Sequence, residues 1–192
     1  AGMYGCEIVT GYQLSYPEQQ IRKLTLEECC EVKEEGLYTC FIKNPNAKFR
    51  SLTHGRADAE FIREQVPMTK EEVREISICK LQLHKKAIVY DIGSGTGSIA
   101  VETAGLSDDI QVFAIERKKE AVSLIEKNKD RFCLQNIEII EAEAPEGFSK
   151  LPLPSHAFLG GSAGKMKEIL SALYQLNSTM RIVINAISME TI

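Results

Sequence analysis

The sequence predicts an α/β fold in which a mainly parallel sheet carries helices on both faces, preceded by a smaller α+β segment. Two observations predict the parallel sheet. Five short apolar runs alternate with amphipathic stretches between residues 87 and 187, as is typical of βαβ units. The first of these runs ends in "DIGSGTGS", a glycine-rich turn between a strand and a helix. The different pattern of residues 1–50 predicts the separate leading segment.

Residues 1–50 contain two strand-like runs, "CEIVTGYQL" and "GLYTCFIKNP". Between them lies "YPEQQIRKLTLEECCEV", which is predicted as helix and turn. A sheet this small cannot bury its own faces. We therefore expect residues 1–50 to be the C-terminal piece of another domain. The polar stretch 51–68 is predicted as a linker, and residues 69–192 as the main domain.

The main domain is predicted to begin with a helix. Thr69 is followed three residues later by Glu72, which is the spacing of a capping box, so the helix is expected to start at Thr69. Val73, Ile76 and Leu83 give this helix a partly apolar face. Five strands follow, predicted in "AIVYDI", "IQVFAIE", "IEIIEA", "HAFLGG" and "MRIVINAI". Right-handed crossovers through the intervening helices would make the sheet parallel and cover both faces.

The composition disfavours several classes of function. The formal net charge is −4, whereas nucleic-acid binding needs a concentrated basic face. No apolar run reaches the length of a membrane span, and no signal peptide is visible. The six cysteines form no C-x-x-C pair and the three histidines are scattered, so no metal site is predicted. We expect a cytoplasmic protein with free thiols, no nucleic-acid partner and no membrane contact.

Three glycines at alternate positions, Gly93, Gly95 and Gly97, mark the turn after the first parallel strand. Ligands of such folds bind beyond the carboxyl ends of the strands, and glycine lets a ligand approach the backbone closely. A tight turn alone would need one glycine, so the spacing favours a cofactor cradle. The pattern D-x-G-x-G-x-G begins at Asp91, and Ser98 stands where a dinucleotide fingerprint has its third glycine. A nicotinamide cofactor is therefore disfavoured.

The D-x-G-x-G-x-G pattern resembles motif I of the S-adenosylmethionine-dependent methyltransferases of class I, which have a Rossmann-like fold. This resemblance implies that the glycines lie against the methionine part of the cofactor and that Asp91 orders the loop. Glu116 ends the second strand, about 20 residues further on, where an acid binds ribose hydroxyls. The methyltransferase pattern places another acid near the adenine, and Glu143 supplies it together with the amide of Ala144. The alternatives are an ordinary exposed glutamate and a solvated loop.

Several segments, taken in order, resemble one family more closely: the decarboxylating carbon-15 methyltransferases of cobalamin biosynthesis. They are "EFIREQVPMTKEEVR", "DIGSGTGS", "FAIERKKEA", "EAEAPEGF", "GGSAG" and "INAISMET". Residues 1–50 are similar to the end of the carbon-5 methyltransferase, a tetrapyrrole methylase-type domain often fused to the first in precorrin-6Y carbon-5,15-methyltransferases. The resemblance implies S-adenosylmethionine as cofactor and a tetrapyrrole of the precorrin type as substrate. It also implies the fused carbon-5 domain as a partner and a homo-oligomer.

The resemblance also implies a set of site residues. The cofactor-binding set is Thr69, Asp91, Gly93, Ser94, Gly95, Thr96, Gly97, Glu116, Glu143 and Ala144. The loop on the substrate side is Gly160, Gly161 and Ser162, with flexible turn chemistry as the alternative. A substrate with many carboxylates should also meet cations near the pocket mouth. The candidates are Arg63, Lys70, Arg74, Lys165 and Lys167, and the alternative for each is a solvated surface charge. An enamine-like ring carbon can attack without a strong protein base, so no catalytic residue is assigned.

The sequence departs from the family pattern in two places. Glu143 stands where aspartate is usual. The chain stops at Ile192, just after the fifth strand, where class I enzymes normally add two more, so we expect the last two strands to be missing and an edge to be open. The alternatives to a precorrin methyltransferase are a class I enzyme acting on another small molecule or RNA, and a fragment that binds S-adenosylmethionine without catalysis.

Overall fold

A computed structural model describes residues 5–45 and 53–186 of the chain. These residues belong to two compact units, residues 1–50 and residues 51–192. Within the described ranges, none of the helices combines the length and the apolar composition that a bilayer crossing requires.

The first unit is a three-stranded antiparallel sheet with one short helix. Its elements are β1 (Glu7–Tyr12), β2 (Gln20–Leu24), α1 (Leu26–Glu31) and β3 (Tyr38–Lys43), and β1 is the central strand. Thr25 begins the helix with a capping box, since its side chain accepts a hydrogen bond from the amide of Glu28, whose carboxylate accepts one from the amide of Thr25. The stretch predicted as helix and turn therefore also contains a strand, β2.

The apolar side chains of this first unit lie mostly at its surface. Ile8 is buried, whereas Ile21, Phe41 and Ile42 are exposed, as is every residue of β3. A three-stranded sheet of this length does not cover both of its faces. Its assignment to a second domain stays a prediction.

The second unit contains a five-stranded sheet in which all neighbouring strands are parallel. The strands are β4 (Ile88–Ile92), β5 (Gln111–Glu116), β6 (Ile137–Glu141), β7 (His156–Leu159) and β8 (Arg181–Ile184). Their order across the sheet is β6-β5-β4-β7-β8. The predicted parallel sheet is confirmed, and β8 is the edge strand of its described part. The predicted absence of two further strands concerns the chain end, where residues 187–192 lie outside the described residues.

Helices cover both faces of this sheet. They are α2 (Glu71–Leu81), α3 (Ser98–Gly105), α4 (Lys119–Arg131) and α5 (Met166–Leu176). Alternate residues of the central strands point to opposite sides, so that Val89 and Val112 pack with α3 and α4, whereas Tyr90 and Phe113 pack with α5. Helix α2 packs beside α3. The strands are buried on both faces, which explains their continuous apolar runs.

Helix α2 begins after Lys70 rather than at Thr69, and it turns a different face inward than predicted. Lys70 is the N-cap and makes no side-chain cap, so the capping box expected at Thr69 does not form. Val73 and Ile76 are exposed, while Arg74 is buried. The predicted apolar face is therefore wrong in part, because the guanidinium of Arg74 meets a carboxylate of α3 inside the protein.

Residues 51–68, predicted as a linker, pack on the α/β unit wherever the structure describes them. Phe61 lies in the hydrophobic core beside α3 and α4. The amides of Gly55 and Arg56 donate hydrogen bonds to the carboxylate of Glu102, on α3. The described part of this stretch is thus held by the second unit, and the domain limits stay a prediction.

Candidate functional site

A cavity of about 360 Å³ lies at the carboxyl ends of β4, β5, β6 and β7. This is the edge at which open parallel sheets bind ligands, and the volume is that of a small-molecule site. The predicted residues that line it are Thr69, Gly93, Ser94, Gly95, Glu116, Glu143, Ala144, Gly160, Gly161 and Ser162. Asp91, Thr96 and Gly97 are not among the residues that line the cavity.

The glycine loop, residues 93–97, has a backbone conformation that residues with a side chain rarely adopt. Gly93 has φ +67° and Gly95 has φ +59°, both in the left-handed region that favours glycine. A Cβ at Gly93 would lie 2.6 Å from the carbonyl oxygen of Gly161, and a Cβ at Gly95 would lie 3.1 Å from the carbonyl oxygen of Pro67. These two glycines therefore permit close backbone packing and at the same time line the cavity. The tight-turn explanation accounts for Gly97, which packs against Ile125 of α4.

Asp91 contacts the loop from beneath and is not among the residues that line the cavity, and its predicted role as a cofactor-binding residue stays a prediction. Its Oδ2 accepts hydrogen bonds from the hydroxyl of Ser94, at 2.6 Å, and from the amide of Ala100, at 3.1 Å. Burial raises the pKa of Asp91 to about 7, although these two hydrogen bonds oppose the shift. Its other oxygen, Oδ1, is buried without a hydrogen-bond partner in the described structure.

We expect the substitution Asp91→Asn to remove a pH dependence of stability. The pKa of Asp91 is about 7 in the folded chain, against an ordinary value of about 3.9 in an unfolded one. Between these values the folded chain holds a proton that the unfolded chain releases. The free energy of unfolding therefore falls as pH rises, by at most about 1.4 kcal/mol per pH unit, and the contribution is constant above the folded pKa.

Urea unfolding from about pH 4 to about pH 8 measures this effect as the difference between the wild type and Asp91→Asn. The difference should change with pH up to neutrality and then level off. Asp130→Asn, at an exposed position of α4, is the matched control and should run parallel to the wild type. A constant difference for Asp91→Asn across the range would contradict the prediction.

Glu116 is held rigidly at the end of β5, with 8% of its surface exposed. Its Oε2 accepts a hydrogen bond from the amide of Gly95 at 3.0 Å. Its Oε1 accepts bonds from the amides of Arg117 and Lys118, both at 2.9 Å. A carboxylate has about four lone-pair positions, so Glu116 retains capacity for one hydroxyl donor from the cavity. The geometry suits the ribose contact that the sequence predicts, and the contact itself stays a prediction.

Glu143 lies in an exposed network of charges at the cavity rim. Its carboxylate is 3.3 Å from Nη1 of Arg117 and 3.1 Å from Nζ of Lys165, which also lies 3.2 Å from Glu146. Hydrogen bonds to Glu143 and Glu146 raise the pKa of Lys165 above its ordinary value. Exposed pairs of this kind contribute little to stability. The adenine contact of Glu143 stays a prediction.

The cations predicted near the mouth lie in different surroundings. Arg74 has no exposed side-chain surface, so its prediction as a mouth residue is wrong. Lys70 lies 3.3 Å from Asp58. Burial alone would raise the pKa of Asp58, but hydrogen bonds from Arg74 and Lys70 outweigh it and lower the pKa. Lys165 stands at the rim, and Arg63 and Lys167 are exposed.

Sequence reasoning missed one wall of the cavity. Val66 and Pro67 line it beside Thr69, and Asn185, just after β8, lines it as well. The signal for this wall is indirect. Glu102 is the one charged residue of helix α3, "SIAVETAG", and a buried charge of this kind requires a partner.

Comparison with known proteins identifies the family of this chain. The family model described as "Precorrin methyltransferase domain" matches residues 60–192. The chain belongs to the precorrin methyltransferase family. This confirms the family resemblance of the main domain, whose matched residues include the whole parallel sheet and the cavity rim.

The similar proteins agree with this assignment. A protein of Sulfurisphaera tokodaii named "Probable cobalt-precorrin-6B C(15)-methyltransferase (decarboxylating)" is 46% identical over 142 residues, which cover 72% of this chain and 73% of that protein. The cobalt-precorrin-6B C(15)-methyltransferase (decarboxylating) of Salmonella typhimurium is 38% identical, covering 70% of each chain. The crystal structure of a precorrin-6Y C5,15-methyltransferase from Geobacter metallireducens matches with a TM-score of 0.70 and 35% identity, covering 74% of this chain and 76% of that one.

Proposed function

We propose that this chain transfers the methyl group of S-adenosylmethionine to carbon 15 of a precorrin or cobalt-precorrin, with loss of carboxylate from an acetate side chain. The observation that carries the proposal is that Gly93, Gly95 and Glu116 line one cavity, in a chain of the precorrin methyltransferase family. The names of the similar proteins supply the reaction. The proposal also includes a fused carbon-5 methyltransferase domain as a partner, and a homo-oligomer.

The cavity fits the cofactor in shape and in chemistry. Gly93 and Gly95 form a cradle without side chains, suited to the methionine part. Glu116 presents a fixed carboxylate to the ribose hydroxyls. Ile115 and Ala144 give an apolar wall that suits a flat adenine. The groups that such a cofactor needs therefore follow one another around one cavity, in the order of strands β4, β5 and β6.

S-adenosylmethionine supplies, when bound, an electrophilic methyl group. The residues of the chain bind the two reactants, orient them and exclude water from the cavity. This placement of the reactants is the main contribution of the protein to the reaction rate. Among the described residues that line the cavity, none is histidine, cysteine or tyrosine. The proposal accordingly assigns placement to the protein and no catalytic base, since an electron-rich ring carbon is itself the nucleophile.

The rim offers cations for a substrate with many carboxylates. Arg117 lines the cavity, and its guanidinium and the ammonium of Lys165 flank the carboxylate of Glu143. Substrate carboxylates would compete with Glu143 for these two cations and gain charge-assisted hydrogen bonds. The local cations allow a polyanionic substrate in spite of the net charge of −4.

Calorimetric titration with S-adenosylhomocysteine, with NADH as the control ligand, tests the cofactor. Binding of the first alone supports the proposal, and binding of neither by folded protein overturns it. Turnover of a precorrin substrate, with methyl gain and carbon dioxide loss followed by mass spectrometry, then tests the reaction. Binding without turnover would favour the alternative of a fragment that binds the cofactor without catalysis.

The substitution Glu116→Gln is expected to weaken S-adenosylhomocysteine binding by about tenfold to a hundredfold. The change replaces one charged acceptor oxygen by a donor, and hydrogen bonds to charged groups contribute about 1.5–3 kcal/mol. The control is Glu120→Gln, at an exposed position in the first turn of α4, which should bind like the wild type. Equal affinity of Glu116→Gln and the wild type would show that Glu116 does not contact the ligand.

A further inference from the structure

Arg74 lies wholly inside the protein and distributes its guanidinium over four acceptors. Nε donates to the carboxylate of Glu102 at 2.5 Å. Nη1 donates to the carboxylate of Asp58 at 3.0 Å and to the carbonyl of Thr69 at 2.6 Å, and Nη2 donates to the carbonyl of Arg56. Three of these four acceptors belong to one stretch of chain, which we name the wall segment, residues 55–69.

Glu102, the partner of Arg74 in the ion pair, also binds the wall segment. Its carboxylate accepts hydrogen bonds from the amide of Gly55 at 2.6 Å and from the amide of Arg56 at 3.1 Å. The side chain of Glu102 is fully buried, like that of Arg74. Both charges are therefore used to hold backbone groups of the wall segment as well as each other.

Asn128, on α4, provides a second hold further along the wall segment. Its side chain accepts a hydrogen bond from the amide of Ile62 and donates one to the carbonyl of Ile62, both at 2.8 Å. It also donates to the carbonyl of Thr96 at 2.9 Å. Because Thr96 belongs to the glycine loop, Asn128 sets the distance between that loop and the wall segment.

The far end of the wall segment forms one side of the cavity. Val66, Pro67 and Thr69 line it, and the carbonyl oxygen of Pro67 is 3.1 Å from the position of a Cβ at Gly95. A buried ion pair is weak evidence for stability, since apolar side chains of similar volume often stabilise a fold as well or better. What apolar side chains cannot replace is the set of hydrogen bonds to this segment.

We infer that Arg74, with Glu102, is a positioning residue that holds the wall segment over the glycine loop and so sets the affinity for the cofactor. The inference rests on the proposed function. It gives a physical reason for Arg74, the arginine that ends the family-like segment "EFIREQVPMTKEEVR", which the cavity lining does not explain.

The first variant is Arg74→Lys. A lysine keeps the positive charge opposite Glu102. Its single ammonium group, however, cannot donate hydrogen bonds to acceptors as far apart as those that the guanidinium reaches. We expect the Kd for S-adenosylhomocysteine to rise about tenfold, with faster amide hydrogen exchange in residues 55–69. With S-adenosylmethionine, KM should rise while kcat at saturation stays near that of the wild type. The control is Lys127→Met, which removes an exposed ion pair with Glu64 of the same segment. It should change neither the Kd for S-adenosylhomocysteine nor the hydrogen exchange of residues 55–69.

The second variant separates positioning from folding. Arg74→Met combined with Glu102→Leu fills the same space and leaves no buried charge unpaired, so this variant should fold and be less destabilised than Glu102→Leu alone. The Kd should nevertheless rise and residues 55–69 should exchange faster. Wild-type Kd and wild-type exchange in both variants would overturn the inference. Failure of the wild type itself to bind S-adenosylhomocysteine is a separate result, which overturns the proposed function and the inference resting on it.

Discussion

Replacement of Gly93 by alanine is expected to abolish S-adenosylhomocysteine binding and to lower the free energy of unfolding. Gly93 has φ +67°, a conformation that strains an L side chain by about 1–2 kcal/mol. A Cβ there would lie 2.6 Å from the carbonyl oxygen and 2.8 Å from the amide nitrogen of Gly161. Both are backbone atoms, which cannot rotate away as the end of a side chain can. Either the glycine loop or the loop after β7 must therefore move.

Both loops are fastened to the sheet by backbone hydrogen bonds. The amide of Gly93 donates to the carbonyl of Ile115 at 3.0 Å, and the amide of Gly160 donates to the carbonyl of Ile92 at 2.9 Å. Movement of either loop breaks these bonds and changes the shape of the cavity that both loops line. Adding the strain to the usual cost of overpacking, we expect a loss of about 2–5 kcal/mol.

Urea unfolding and calorimetric titration measure the two effects of Gly93→Ala separately. The control is Gly105→Ala at the end of α3, where a Cβ would meet no heavy atom within 4 Å apart from its chain neighbours and the backbone of its own helix. In a helix, alanine is favoured over glycine by about 0.5–1 kcal/mol, so this control should be as stable as the wild type or more so. Wild-type stability and binding in Gly93→Ala would show that the two loops do not approach as closely as described.

The parts of the fold that the sequence predicts are those with a local signal. The central strands of a parallel sheet are buried on both faces, so runs such as "AIVYDI" reveal them directly. The glycine loop also has a local signal in the sequence, because its own backbone conformation requires Gly93 and Gly95. The acid at the end of β5 follows at a distance along the chain that the fold fixes. These signals suffice to place most of the predicted residues around one cavity.

The parts that the sequence does not predict depend on contacts between distant residues. Strand β2 has the sequence "QIRKL", mixed in polarity and exposed along most of its length, so it lacks an apolar pattern. Thr69 has the spacing of a capping box, but its carbonyl accepts a hydrogen bond from Arg74 and it lies at the cavity. Glu102 indicates that some cation is buried, yet the chain has 23 lysines and arginines, and only the fold selects Arg74.

Replacement of Glu102 alone by leucine is expected to lower the free energy of unfolding by about 3–5 kcal/mol. The guanidinium of Arg74 would remain buried after losing its partner at Nε. The amides of Gly55 and Arg56 would lose their acceptor as well. Domains of this kind are stable by about 5–15 kcal/mol, so the change would remove a large share of the total.

Guanidinium chloride unfolding measures this loss, with Glu64→Leu as the control, because Glu64 pairs with Lys127 at the surface and should matter by less than about 1 kcal/mol. Similar losses in the two variants would contradict the prediction. The single change should also cost more than the double change Arg74→Met with Glu102→Leu, although the double change removes more hydrogen bonds. Such non-additivity would locate the cost in the stranded positive charge rather than in the missing contacts to residues 55–69.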